Sequence, residues 1–183
     1  MRWMWIDRVI ELVPGQRLVA IKNVSLAEEH LHDHFAADPP TPGSRGRPAL
    51  PVMPASLILE GMAQTAGILV GHASGFATKV ILAKIGTASL ERDAGPGCTL
   101  RYTATIERMD LVGASTSGVV ELMDHAAGTA DQPARFERIG VIDLMFSHLD
   151  HNMGAAGAPG AAFPKHNFVF GEGFKTLLRT SGF

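Results

Sequence analysis

Met53-Pro54-Ala55-Ser56-Leu57-Ile58-Leu59-Glu60-Gly61-Met62-Ala63-Gln64-Thr65-Ala66-Gly67 opens the one long helix that this 183-residue sequence predicts. Pro54 falls in the first turn, where a helix tolerates proline because the missing N–H has no intrahelical partner anyway. The residues that follow, to about Val70, are apolar on nearly every side, so protein must surround this helix. Its small residues Gly61, Ala63, Ala66 and Gly67 let a sheet approach the backbone closely. The apolar stretch Leu57 to Val70 carries Glu60 and Gln64 and is shorter than the roughly 20 residues a bilayer span needs. It therefore reads as a core helix.

Downstream of Gly75 the pattern changes to period two. Lys79 to Leu90, Thr99 to Glu107, Val112 to Leu122 and Arg135 to Phe146 are strand-like, with turn signals at Gly95-Pro96-Gly97, at Asp110 and across Gly128 to Pro133. In the second segment Leu100, Tyr102, Ala104 and Ile106 share one face, while Arg101, Thr103, Thr105 and Glu107 share the other, as in a half-buried antiparallel strand. Upstream, Arg17 to Val24 reads as a strand. Trp5, Ile6, Val9, Ile10 and Val13 have helix-like spacing, which predicts a short helix or irregular lead-in before the Pro14-Gly15 turn. One buried helix and an antiparallel meander give an α+β class in which a curved sheet wraps the helix.

Two segments lie outside that pattern. Residues 36–51 hold Pro39, Pro40, Pro42, Pro48 and Pro51 with two glycines, a composition that excludes helix and central strand and predicts a surface loop. Residues 1–150 are expected to form the domain that contains this loop, and residues 151–183 a Gly/Ala linker with an aromatic tail. Five of the nine phenylalanines lie in that tail, and Phe170, Phe174, Leu177 and Leu178 have the spacing of an amphipathic helix. Such a helix is expected to dock on its own domain or on a second subunit.

Composition narrows the function. Hydrophobic residues make up 46% of the chain and charged residues 19%, enough for a packed core and too little charge for a disordered protein. A net charge of −2 leaves no electrostatic footprint for nucleic acid. The single cysteine, Cys98, forms neither an internal disulfide nor a cysteine metal cluster, and a cytoplasmic setting is expected. The opening Met1-Arg2-Trp3-Met4-Trp5-Ile6-Asp7-Arg8 breaks its apolar run with charge too early for a signal peptide, so no membrane insertion is expected.

Candidate chemistry rests on histidines and one acid. In extended chain His30, His32 and His34 point the same way, one means of gathering imidazoles around a metal, and His148 and His151 complete a set on paper. The strand and helix order is not that of the metallo-hydrolases that carry a similar run, so no metal is expected. Glu60 is a carboxylate in an apolar helix, which either finds partners or takes up a proton and becomes a donor. Pairing with Gln64 one turn on, or with a buried arginine, is the plain alternative.

The helix stretch quoted above resembles the central motif MPGxLxxEaxAQxaG of the β-hydroxyacyl-[acyl carrier protein] dehydratases, which have the hotdog fold. Asn23-Val24-Ser25 leading to His34-Phe35 is similar to their NVs...GHFPG segment, Trp5 to Leu12 to their LVDRVxEl lead-in, and Pro96-Gly97-Cys98-Thr99-Leu100 to their PGDxL turn. The resemblance covers roughly Trp3 to His148, with the motifs in the same order. It implies His34 as the base that removes the α-proton, Glu60 as the acid that protonates the departing hydroxyl, the Ala55 N–H as the group polarising the thioester carbonyl, and Gln64 as the residue orienting Glu60.

Met53, Leu57 and Met62 would line an acyl tunnel. No cofactor is implied; acyl carrier protein is the implied partner, and the implied assembly is a dimer or trimer of dimers in which histidine and acid come from different subunits. Arg45, Arg47 and Arg101 are the basic candidates for carrier docking. The sequence departs from the motifs at Ala36-Ala37, in place of the Pro-Gly after the histidine, at Ala55 in place of glycine, and in an insertion of roughly a dozen residues between His34 and Glu60. The other readings of the same fold are a thioesterase, in which Glu60 activates water and His34 is not required, and a non-catalytic subunit that partners an active one.

Overall fold

The computed structural model describes residues 3–149, 167 and 169–183. Helix α2, Ala55–Ala73, is the axis of the molecule, and six antiparallel strands curve around it. They are β1 (Arg8–Val13), β2 (Arg17–Asn23), β3 (Val80–Leu90), β4 (Cys98–Met109), β5 (Gly113–Asp124) and β6 (Glu137–His148), in the order β1-β2-β4-β5-β6-β3. A short helix α1, His30–Asp33, and a C-terminal helix α3, Glu172–Ser181, complete the elements.

Helix α2 is buried along most of its length, with Met62, Ala66, Ile68, Leu69 and Val70 at 0% exposure. Each large apolar side chain so enclosed contributes about 1.5–3 kcal/mol before chain entropy is counted. The close approach of sheet to helix is visible at Gly61, where a Cβ would stand 2.6 Å from the Tyr102 hydroxyl oxygen. On β4, Leu100, Tyr102 and Ala104 are wholly buried, as the alternation predicts. On the opposite face Arg101 makes a two-pronged ion pair with Glu121, its cross-strand neighbour on β5, at 2.6 and 2.7 Å.

The N-terminal lead-in differs from its expected form. Residues 8–13 are strand β1, paired with β2, and not a helix. The register slips between Val9 and Glu11, and such a bulge adds one residue to the strand, which breaks the strict alternation and produces helix-like spacing of apolar residues. The 36–51 segment is largely exposed, as expected, but it is organised. Asp38 and Arg47 exchange two backbone hydrogen bonds of 2.8 Å, and Thr41 and Ser44 pair across a Pro42-Gly43 turn with Gly43 at φ +97°.

Strand β3 is a sheet edge whose residues Leu82 to Ser89 are exposed. Among the described residues no helix is long and apolar enough to cross a membrane.

Candidate active site

His34 caps the C-terminus of α1, where the chain turns from helix to extended backbone. Its Nδ1 lies 2.7 Å from the Val52 carbonyl oxygen. A carbonyl only accepts, so Nδ1 carries a proton, and in the neutral ring Nε2 is left with a free lone pair. Leu50 N–H donates to the Phe35 carbonyl at 2.9 Å, so the inserted segment leaves and rejoins the body at one place. The insertion therefore leaves His34 beside the residues that lead into α2. Phe35 stacks against His34 at 4.3 Å and adopts φ +59°; a proline at position 36 would push that residue toward extended backbone. The Arg47 guanidinium lies 5.6 Å over the Phe35 ring.

Glu60 sits on the second turn of α2, half-buried, with one carboxylate oxygen 3.0 Å from the Gln64 side-chain nitrogen. The same amide donates to the Trp3 carbonyl at 2.7 Å, and its oxygen accepts the Trp5 N–H at 2.9 Å. The N-terminal segment is thus tied to the helix through the residue that holds the acid. Beside Glu60 is a cavity of about 160 Å³, bounded on the helix side by Glu60, Ala63, Gln64 and Gly67. Val80, Leu82 and Phe146 supply the sheet side, and Val169, Phe170 and Phe174 of the C-terminal segment complete its lining.

Ala55 is the first residue of α2, exposed, with no side chain capping the helix. Its N–H belongs to the turn whose donors have no intrahelical partner and carry the positive end of the helix dipole. Among the described residues Phe35 and Phe76 are the non-glycine ones at positive φ, so Ala55 accommodates its Cβ without strain. A hollow of about 180 Å³ lies there, lined in part by Met53, Ala55 and Ile58. Leu57 is partly buried, and Met62 is fully enclosed in the core.

Within one chain no hydrogen bond joins His34 to Glu60, and His34 does not line the cavity beside Glu60. The lining contributed by Phe146 and the C-terminal phenylalanines was not visible in the motifs. The helical spacing of Phe170 and Phe174 announced a docked tail, but not the place where it docks.

The other histidines are placed differently from a metal set. Residues 30–33 are helical, so His30 and His32 point to different faces. The His30 ring stands edge-on to Trp5 at 5.1 Å, and His32 Nε2 reaches the Leu26 carbonyl at 2.8 Å. Among the described residues no group of three or more His, Cys, Asp or Glu is arranged to hold a metal ion. His148 is buried, and His151 lies outside the described residues. Arg101, one of the candidate docking bases, is committed to Glu121 and stacked on Phe136 at 4.1 Å.

Six antiparallel strands around a buried helix define the hotdog class. Among solved structures, the dehydratase heterocomplex ApeI:P from Xenorhabdus doucetiae aligns with a TM-score of 0.54 at 13% identity, over 80% of this chain and 83% of that one. An acyl-CoA hydrolase variant from Staphylococcus aureus in complex with coenzyme A aligns with a TM-score of 0.52 at 13% identity, over 74% and 65%. At such identities the likeness speaks for the fold alone.

Sequence relatives are more specific. A family model described as a FabA-like domain matches residues 47–127. The 3-hydroxyacyl-[acyl-carrier-protein] dehydratases FabZ of Oenococcus oeni and of Caldanaerobacter subterraneus subsp. tengcongensis are 32% and 35% identical over 78% and 70% of this chain, and 86% and 84% of their own lengths. That of Gluconacetobacter diazotrophicus is 39% identical over 58% of this chain, which spans 60% of that relative. The chain belongs to the FabZ family of 3-hydroxyacyl-[acyl-carrier-protein] dehydratases.

Proposed function

We propose that this protein removes water from 3-hydroxyacyl chains carried on acyl carrier protein, leaving the trans-2-enoyl thioester. The observation that carries the reading is Glu60: a carboxylate held by Gln64 on a buried helix, at the wall of a cavity otherwise lined by apolar side chains. An acyl chain seated in that cavity brings its 3-hydroxyl to the acid.

In the reaction, His34 Nε2 takes the proton from C2, and the electron pair left on C2 forms the C2–C3 double bond as the C3–O bond breaks. Protonated Glu60 gives its proton to the departing oxygen, which leaves as water. His34 ends protonated and Glu60 ionised, and a proton returned through solvent restores both. The Val52 carbonyl supports this role for His34, because it fixes the tautomer with Nε2 free to accept. The Ala55 N–H, at the positive end of α2, stabilises charge that develops on the thioester oxygen. Gln64 orients Glu60. Met53 stands beside Ala55 at this end of the helix, where it and Leu57 would contact the thioester arm, while Met62 backs the helix from the core.

The site is completed by a second copy of the chain. No hydrogen bond joins His34 to Glu60 within one chain, His34 does not line the cavity beside Glu60, and the exposed edge of β3 offers unpaired backbone on which another β3 continues the sheet. Residues 169–183 are assigned to the same domain as an extension packed on it, while the expected Gly/Ala linker lies outside the described residues; a cytoplasmic setting fits the single thiol of Cys98.

The test is enoyl formation from 3-hydroxyacyl-[acyl carrier protein] by wild type, His34→Ala and Glu60→Gln, each checked for folding. Turnover by wild type, with losses of about a hundredfold or more in both variants, is expected. Thioester hydrolysis that survives His34→Ala, or no reaction at any chain length, would overturn the reading.

A further inference from the structure

We propose that the C-terminal segment Val169–Phe174 sets the upper length of the acyl chain that the site accepts, forming the end wall of the cavity beside Glu60. The inference rests on the dehydratase reading of that cavity. Residues 169–174 follow β6, the last strand of the sheet, so this wall is an addition to the sheet and its central helix.

The segment is held at both ends. At its start, the Asn167 side-chain nitrogen donates to the Phe76 and Thr78 carbonyls at 2.9 and 3.0 Å, while its oxygen accepts the Val169 N–H at 3.1 Å. At its end, Ser181 Oγ accepts the Val9 N–H at 3.0 Å, beside the irregularity in β1. Between these anchors Phe170 lies against α2 at Gly71, where a Cβ would fall 2.4 Å from its ring. It meets Phe76 edge-on at 4.9 Å and Phe174 at 5.9 Å. Phe170 and Phe174 are 5% and 6% exposed, so the wall is packed from behind.

Size gives the consequence. The cavity measures about 160 Å³, and an apolar cavity of about 150 Å³ accommodates benzene. The share of the acyl site that one chain forms is therefore about the size of six carbons. A longer chain must displace Phe170 or Phe174 from packed positions, and one misfitting methylene in an apolar pocket is worth about tenfold or more in specificity.

Two substitutions move the wall in opposite directions. Phe174→Ala enlarges the cavity. Gly67→Ala narrows it, and its new Cβ finds the Phe146 ring at 3.6 Å, an ordinary contact that the core tolerates. With the full-length chain, kcat/KM is measured on 3-hydroxyacyl-[acyl carrier protein] substrates from four to sixteen carbons. The expected result is a ratio of long-chain to short-chain kcat/KM that rises about tenfold in Phe174→Ala and falls in Gly67→Ala.

Ratios within about twofold of wild type in both variants would overturn the proposal. If Phe174→Ala does not fold, Phe174→Leu replaces it. If no variant turns over any substrate, the dehydratase reading fails on its own, and the same proteins are titrated calorimetrically with straight-chain acyl-pantetheine thioesters. Affinities whose chain-length optimum shifts in the two stated directions support the wall; coincident profiles overturn it.

Discussion

The Gln64 amide nitrogen donates to Glu60 at 3.0 Å with one hydrogen and to the Trp3 carbonyl at 2.7 Å with the other. This one side chain joins the candidate acid to the segment that precedes β1, and its oxygen satisfies the buried Trp5 N–H as well. Gln64→Leu keeps the approximate volume and removes all three bonds. Leaving the Trp5 N–H unpaired is expected to lower the unfolding free energy by about 1–3 kcal/mol. Under the dehydratase reading kcat falls about tenfold while KM changes little, because Gln64 positions the acid and leucine keeps its part of the cavity wall at about the same volume. Denaturant unfolding and steady-state kinetics check the two effects separately, and an unchanged kcat would remove Gln64 from the site.

Most of the architecture was legible because period and composition report on burial. The apolar, small-residue helix required a sheet around it, and the alternation of Leu100, Tyr102 and Ala104 identified the inward face of β4. Residues 8–13 misled because a bulge between Val9 and Glu11 makes a strand look helical, and bulges leave no sequence signal as strong as alternation. Glu60 and Gln64 stood out as polar residues in an apolar run. The cavity wall did not, because Phe146, Phe170 and Phe174 come together only through a tertiary contact between elements distant in sequence. Asn167 and Ser181, which fix the tail, each follow other polar residues, and nothing in that polar run singles them out.

The proline-rich insertion is expected to be separable from the fold. Phe35 and Leu50 are already joined by a 2.9 Å backbone hydrogen bond, and the Asp38–Arg47 and Thr41–Ser44 pairs lie beyond it. Replacing residues 37–48 with two glycines should therefore leave the His34–Val52 contact in place and change the unfolding free energy by no more than about 1 kcal/mol, since shortening a loop costs little entropy. The Arg47–Phe35 contact is lost, so any role of the insertion in access to His34 appears as a changed KM for carrier-bound substrate. A loss of several kcal/mol in chemical denaturation would mean that the insertion is structural.

Tyr102 offers a test of the core with a built-in reporter, because it is the one tyrosine in the chain. Its side chain is wholly buried beneath Gly61, and its hydroxyl has no hydrogen-bond partner among the described residues. Burial, with a smaller contribution from Asp7, pushes the phenol far above its ordinary value. The unfolded chain releases the phenolic proton near the ordinary value of about 10, while the folded chain retains it. Above that pH the unfolded state binds fewer protons, so stability is fully present below it and falls as pH rises. The phenolate absorbance is therefore expected to stay silent through the ordinary titration range and to appear in one cooperative step with alkaline unfolding. Tyr102→Phe removes the unpartnered hydroxyl and should raise the unfolding free energy at neutral pH by about 1 kcal/mol, with a weaker decline at alkaline pH. A phenol that titrates near pH 10 in the folded protein, or a phenylalanine variant markedly less stable than wild type, would mean that the hydroxyl has a partner in solution and that helix and sheet meet less tightly at this point.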